Sequence, residues 1–213
     1  MSDQHEKILA AACDLYLAEG LDGLTMRKLA RRLDVTAPAL YRHFQNREHV
    51  LADVVRSAYR EFTSCLYRAL EGDTPQERLF RAGQGYLDFA LGHERWYRIL
   101  FIAPEELGMS RLPEDIEAMG CAVHQFWVDR VRECQDAGIL RPGDARDISL
   151  TMWGHAHGLL SLYHHGHFHM DEATFRDEFV RSATAMMAGL ATPDFAARLA
   201  EDLAEDHPVD THG

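Results

Sequence analysis

Apolar residues recur at every third or fourth position along nearly the whole chain, and nowhere do they alternate with polar residues for long enough to make a strand. That period confines the fold to packed helices. The expectation is an all-α chain with an N-terminal three-helix helix-turn-helix module and a larger C-terminal helical bundle. A chain of 213 residues has room for one large domain or two unequal ones, and the pattern divides at residues 1–50 and 51–213. No apolar run approaches the ~20 residues of a membrane span, so no membrane partner is expected.

Start and stop signals place the helices. Ile8, Ala12, Leu15 and Tyr16 share a face, and Gly20 ends that helix. Thr25 is an N-cap, followed by Met26, Leu29, Ala30 and Leu33 at helical spacing. "DV" is a short turn. Thr36 then caps a helix to about Phe44, with Pro38 in its first turn, where a missing N–H costs nothing. Asn46 caps a long helix that carries Val50, Leu51, Val54, Val55, Ala58 and Phe62 and stops at "EGD". "TPQE" (Thr74 to Glu77) is a capping box with Pro at the first helical position. A short helix around "ERWYRILF" precedes the loop "IAPEELGMSRL". Pro113 opens a helix to Ala137, closed by Gly138. Asp144 caps one reaching "HHGHFHM", and Asp171 caps one ending at Leu190. "ATPDF" starts a further short helix before an acidic tail.

Charge is uneven. Lys and Arg match Asp and Glu, seven to seven, from Met1 to Val50, whereas eight bases face twenty acids from Ala103 to Gly213. The formal charge of −12 therefore lies in the second half. Between Thr25 and Arg47 stand six bases and one acid, Asp34. One basic face on an acidic body suits contact with nucleic acid at one place; a solvated helix face is the alternative for the count alone. Two short helices joined by a tight turn and braced by a first are the layout of a helix-turn-helix, whose second helix enters the major groove. The expected DNA contacts are Thr25, Arg27, Thr36, Ala37, Pro38, Ala39, Tyr41, Arg42, His43 and Arg47. Ala37, Pro38 and Ala39 suit thymine methyls, and Arg42 suits guanine O6 and N7. Thr25 suits a phosphate, and Tyr41, His43 and Arg47 suit phosphate clamps. Taken singly, Tyr41 and His43 could merely cover Phe44.

Catalysis is not expected. The chain has no G-x-S-x-G, H-E-x-x-H, P-loop or G-x-G-x-x-G motif, and no Glu-x-x-His pair. Cys13, Cys65, Cys121 and Cys134 are scattered, which reads as reduced, mostly buried thiols in a cytoplasm. The first twenty residues hold acids and no uncharged core, unlike a signal peptide. No cofactor is expected.

The stretch "GLDGLTMRKLARRLDVTAPALYRHFQNREHVLADVV" resembles the N-terminal domain of the TetR-type bacterial transcriptional regulators. Gly20, Thr25, Ala30, Leu33, Val35, Leu40, Tyr41, Phe44 and Arg47 stand where that family puts such residues. Pro38 stands where many members have Gly, which bears on the operator sequence. The resemblance implies a homodimer on near-palindromic, double-stranded operator DNA and an effector pocket in the C-terminal body. "MWGHAHGLLSLYHHG" is similar to the Trp…His-Gly segment of the WHG class, matched by Trp153, His157 and Gly158. That likeness implies that the helices from Asp144 to about His165 and from Asp171 to Leu190 pair with their symmetry mates. Gly154, Gly158 and Ser161 would permit close approach; packing within one subunit is the alternative.

The expected cavity residues are Phe89, Phe101, Val123, Phe126, Trp127, Trp153 and His157. The resulting expectation is a DNA-binding transcriptional regulator, a repressor that a small apolar effector releases. The alternative is a metal-sensing regulator using the His-rich segment 155–169, since neutral imidazoles suit Zn²⁺, Ni²⁺ or Cu²⁺. Against it, His155 and His157 diverge on a helix, and a solvated helix end accounts for His164, His165, His167 and His169.

Overall fold

Local capping chemistry sets where most helices begin. In the computed structural model, which describes residues 3–198, α1 spans Asp3–Gly23, α2 Met26–Arg32, α3 Ala37–Tyr41 and α4 Arg47–Tyr67. Thr25 accepts a hydrogen bond from the Lys28 N–H at 3.2 Å, and Asn46 accepts one from the His49 N–H at 2.9 Å. Then come α5 (Pro75–Gly92), α6 (Glu94–Leu100), α7 (Glu114–Asp136), α8 (Ala145–His164) and α9 (Glu172–Leu190). Residues 193–198 are helical as well. The capping box before α5 is complete: the Glu77 N–H donates to Thr74 Oγ1 at 3.1 Å, and the Asp73 N–H donates to Glu77 Oε2 at 2.9 Å. Asp144 and Asp171 cap α8 and α9 through the Arg146 and Thr174 N–H groups. No strand occurs among the described residues, only an antiparallel bridge between Leu140 and Ala191.

Three boundaries differ from the expectation. The first helix does not end at Gly20: the backbone breaks there (φ 70, ψ −171) and takes one more turn to Gly23. Glycine enters this region without a Cβ clash. The third helix stops at Tyr41 rather than Phe44, because Asn46 must be extended (φ −157) to cap α4. The end of α4 tightens into a 3₁₀ turn at Arg68–Glu71.

Two compact units share the chain. One holds residues up to Arg68 together with Asp88–Val123; the other holds Ala69–Leu87 and the chain from His124. The first has one apolar core, in which Leu9, Ala12 and Leu15 of α1 meet Leu29 of α2, Leu40 of α3 and Val50, Val54 and Ala58 of α4. Ile99, Leu107 and Ile116 join the same core. Arg56 Nε adds an ion pair to Asp115 at 2.7 Å. In the second unit Leu79, Val128, Val131, Leu140, Ile148 and Leu190 pack together. There Glu133 accepts bonds from both Arg78 and the buried Arg130, which hold its carboxyl below the usual carboxylate range.

Candidate nucleic-acid interface and ligand cavity

The turn between α2 and α3 is built from backbone hydrogen bonds. The Val35 N–H donates to the Ala30 carbonyl at 3.0 Å, and the Asp34 N–H donates to the Arg31 carbonyl at 3.3 Å. This is a Schellman motif with Asp34 in the left-handed position at φ 53, where glycine is usual. Val35 then packs onto the module core. α3 is pinned by Leu40, 1% exposed, and by Phe44, 3% exposed just after it. The opposite side of the short helix faces outward.

On that outward side Thr36, Pro38, Tyr41, Arg42 and His43 are exposed, as are Thr25 and Arg27 on α2's leading turn. Tyr41 is 54% exposed, high for an aromatic ring. Ala37 and Ala39 are half-buried rather than exposed, because α3 lies close on the core and Ala37 packs against it. The cations divide into two groups. Lys28 pairs with Glu19, and Arg32 with Asp14. Arg47 donates to the Leu21 carbonyl at 3.0 Å and to Glu48 at 3.2 Å, so it ties the start of α4 to the segment after the Gly20 break. The side chains of Arg27, Arg31 and Arg42, by contrast, make no ion pair among the described residues. Arg31 is exposed as well and stands one turn after Arg27 in the basic run.

A cavity of about 550 Å³ lies wholly within the second unit. Its walls are mostly apolar: Phe80 from α5, Trp127 from α7, Met152 and Trp153 from α8, Phe179 and Met186 from α9. Gln84, His155 and Thr184 add polar groups. Tyr86 also lines it, and its hydroxyl shares a hydrogen bond with His157 Nδ1 at 3.2 Å. Burial lowers the His157 pKa below its ordinary 6.5, which favours the neutral ring.

Of the seven expected cavity residues, Trp127 and Trp153 line this space, and His157 backs it through Tyr86. Phe126 is buried, edge-on to Trp127 and under the Arg130 guanidinium. Phe89, Phe101 and Val123 belong to the first unit and do not line it. Phe89 stacks on His93 and meets Phe62 at a tilt, and Phe101 lies edge-on to Tyr97. Phe80, Met152, Phe179 and Met186 escaped the sequence reading. Phe80 shares an α5 face with Gly83 and Gln84, which offered the only signal.

The histidines of 155–169 do not converge. His155 Nε2 bonds Ser182, His157 bonds Tyr86, and His165 Nδ1 meets the Ser161 carbonyl. No three of them group their ring nitrogens at metal-ligand spacing among the described residues. All four cysteines are free; Cys13, Cys65 and Cys134 are buried and Cys121 is exposed.

Two family models match the chain. One, described as bacterial regulatory proteins of the tetR family, covers residues 8–54, and the other, a tetracyclin repressor-like C-terminal domain, covers residues 79–187. The tetracycline repressor protein class A from transposon 1721 of Escherichia coli is 34% identical over 100 residues, 47% of this chain and 41% of that repressor. The transcriptional repressor KstR2 of Mycolicibacterium smegmatis is 24% identical over 144 residues, 66% of this chain and 69% of that one. The chain spans 41% or less of the tetracycline repressors it matches. Among solved structures, the ketosteroid transcriptional regulator KstR2 of Mycobacterium tuberculosis has a TM-score of 0.73 at 16% identity, covering 90% of this chain and 97% of that one. A protein of unknown function from Rhodococcus sp. RHA1 has the same TM-score at 27% identity, with the same coverage.

Proposed function

The chain belongs to the TetR family of DNA-binding transcriptional regulators, which are not enzymes, and on that premise we propose that it is a cytoplasmic repressor released by a small, mostly apolar molecule. The functional division is 1–50 for reading DNA and 51–213 for binding effector and pairing, with the boundary inside the continuous helix α4. One observation carries the reading: Arg27, Arg31 and Arg42 are exposed and make no ion pair among the described residues, and Tyr41 of the same α2–α3 segment is exposed with them. Exposed cations without an internal partner are what a phosphate backbone recruits. Thr25, Thr36, Ala37, Pro38, Ala39 and His43 complete the contact set, and Arg47 acts mainly by bracing α4.

The effector reading rests on the cavity. Aromatic and thioether walls favour an apolar molecule, and Gln84, His155 and the Tyr86–His157 pair can orient one polar group on it. α5 and α7 each carry residues of both units, so a ligand wedged among α5, α7, α8 and α9 can bias the spacing of two DNA-reading helices. Two half-sites need that spacing near 34–36 Å, about one DNA turn. The ligand shifts the balance only by its differential affinity for the two spacings.

Pairing through α8 is supported by its exposed apolar residues. Leu150 and Leu162 are exposed large hydrophobics on the side of that helix that carries Gly154 and Gly158. A Cβ built on Gly154 or Gly158 would meet nothing within 4 Å among the described residues. Nothing among the described residues calls for a missing side chain at these two positions, which supports a second copy as the occupant.

The test is binding to the DNA upstream of the chain's own gene. Arg42→Ala should cost about 1–3 kcal/mol and relax one base position, whereas Tyr41→Phe should weaken all sequences alike. Affinity should fall by roughly 10³–10⁵ between about 50 and 200 mM salt. A flat salt response would defeat the reading.

A further inference from the structure

Three side chains able to ligate a transition metal meet in the first unit, and none belongs to the DNA-facing set or the cavity lining. Glu61 and Cys65 lie four residues apart on α4, hence on one face. His93 is the N-cap residue of α6, at the break after α5. One ligating atom from each of the three lies within 4.8 Å of the other two.

We propose that Glu61, Cys65 and His93 form a binding site for a zinc-like divalent cation that joins α4 to the start of α6. His93 Nε2 stands 3.5 Å from Glu61 Oε1. That is long for an N–H···O hydrogen bond, which falls at about 2.7–3.2 Å. It is the separation of two neighbouring ligands on a tetrahedral ion, since metal–ligand bonds of ~2.0–2.3 Å set adjacent donors roughly 3.3–3.7 Å apart. The imidazole is held for this task. Its ring stacks on Phe89 with centroids 5.9 Å apart and planes inclined at 22°, and Phe89 is fully buried against Phe62. The backbone N–H of His93 also donates to the Phe89 carbonyl at 2.9 Å, which fixes the main chain at this position.

Donor chemistry selects the ion. A thiolate, an imidazole and a carboxylate suit Zn²⁺ and its relatives. Mg²⁺ and Ca²⁺ want oxygen ligands alone. On binding, Cys65 gives its thiol proton to solvent as the metal–sulfur bond forms. Three protein ligands leave a fourth position for water. Without an ion Cys65 is a buried thiol hydrogen-bonded to the Arg68 side chain; a shared ion would tie it to Glu61 and His93 as well.

The test uses the full chain, reduced and stripped of metal by a chelator. Zinc chloride is titrated by calorimetry and cobalt chloride by absorption. The expected result is one ion per chain, with a thiolate-to-cobalt charge-transfer band that Cys65→Ser abolishes. Glu61→Gln and His93→Gln should each weaken zinc binding at least tenfold, with circular dichroism unchanged. Replacing His164, His165, His167 and His169 by Gln should leave binding as it was. No zinc uptake by the unaltered chain would overturn the proposal, and so would unaltered affinity in His93→Gln, a variant at a half-buried helix start that serves if Cys65→Ser misfolds. The readout is metal uptake, so its failure leaves the DNA-binding reading untouched.

Discussion

Asp34 is the one non-glycine residue with positive φ among the described residues, and it is also the one acid in the basic run. Asp and Asn tolerate the left-handed region better than other side chains do. Asp34→Asn should therefore keep the unfolding midpoint in urea while raising operator affinity, because one carboxylate leaves the neighbourhood of the phosphates. Asp34→Val should cost about 1–2 kcal/mol of stability by putting a branched Cβ into that region. His157 makes a second prediction. Its folded pKa lies below 6.5 through burial, so the unfolded chain binds the proton more readily. The stability it contributes is complete above about pH 6.5 and drains away as pH falls from there toward the lowered value. Thermal unfolding followed from pH 7.5 down to about 5.5 should show a smaller loss in His157→Gln than in the parent chain. At this scale legibility followed distance along the chain. The caps at Thr25, Asn46, Asp144 and Asp171 bond N–H groups two or three residues on and could be read directly. The bond from Arg47 to the Leu21 carbonyl crosses 26 residues and could not.

Helices were legible as elements because each carries its own period and its own stops. The capping box at Thr74 shows how far this goes: a four-letter signature became two hydrogen bonds. Thr74→Ala should destabilise the chain by about 0.5–2 kcal/mol without changing operator affinity in the folded protein, measured by chemical denaturation beside a DNA titration. The module was legible for the same reason, since short helices, a tight turn and their caps are all local. The cavity was not. Trp127 and Trp153 entered it, but Phe89 and Phe101 went to the other core, because periodicity says that an aromatic is inward and not which helices it meets there. Met152, Phe179 and Met186 became walls only when faces of α8 and α9 met α5. Glu61, Cys65 and His93 were hidden likewise, the first two by looking like ordinary residues of an amphipathic helix and the third by its distance from them.

At the scale of the molecule, the −12 charge lies beyond the DNA-facing module, and the second unit carries a helix with apolar residues left exposed. A Cβ at Gly158 would meet nothing within 4 Å among the described residues, so Gly158→Arg should start into open space and change the melting of the isolated chain little. In the proposed pair the same arginine falls in the seam, and sedimentation should report monomers with operator affinity lost in step. Leu162→Glu should act in the same direction. The narrow strip at Gly154 and Gly158 carries one further consequence. A cell that holds several chains of this fold must keep their subunits from mixing. A partner with bulkier residues at these two positions could not close the same seam, so the missing side chains would act as a password, and each regulator would answer only to its own signal.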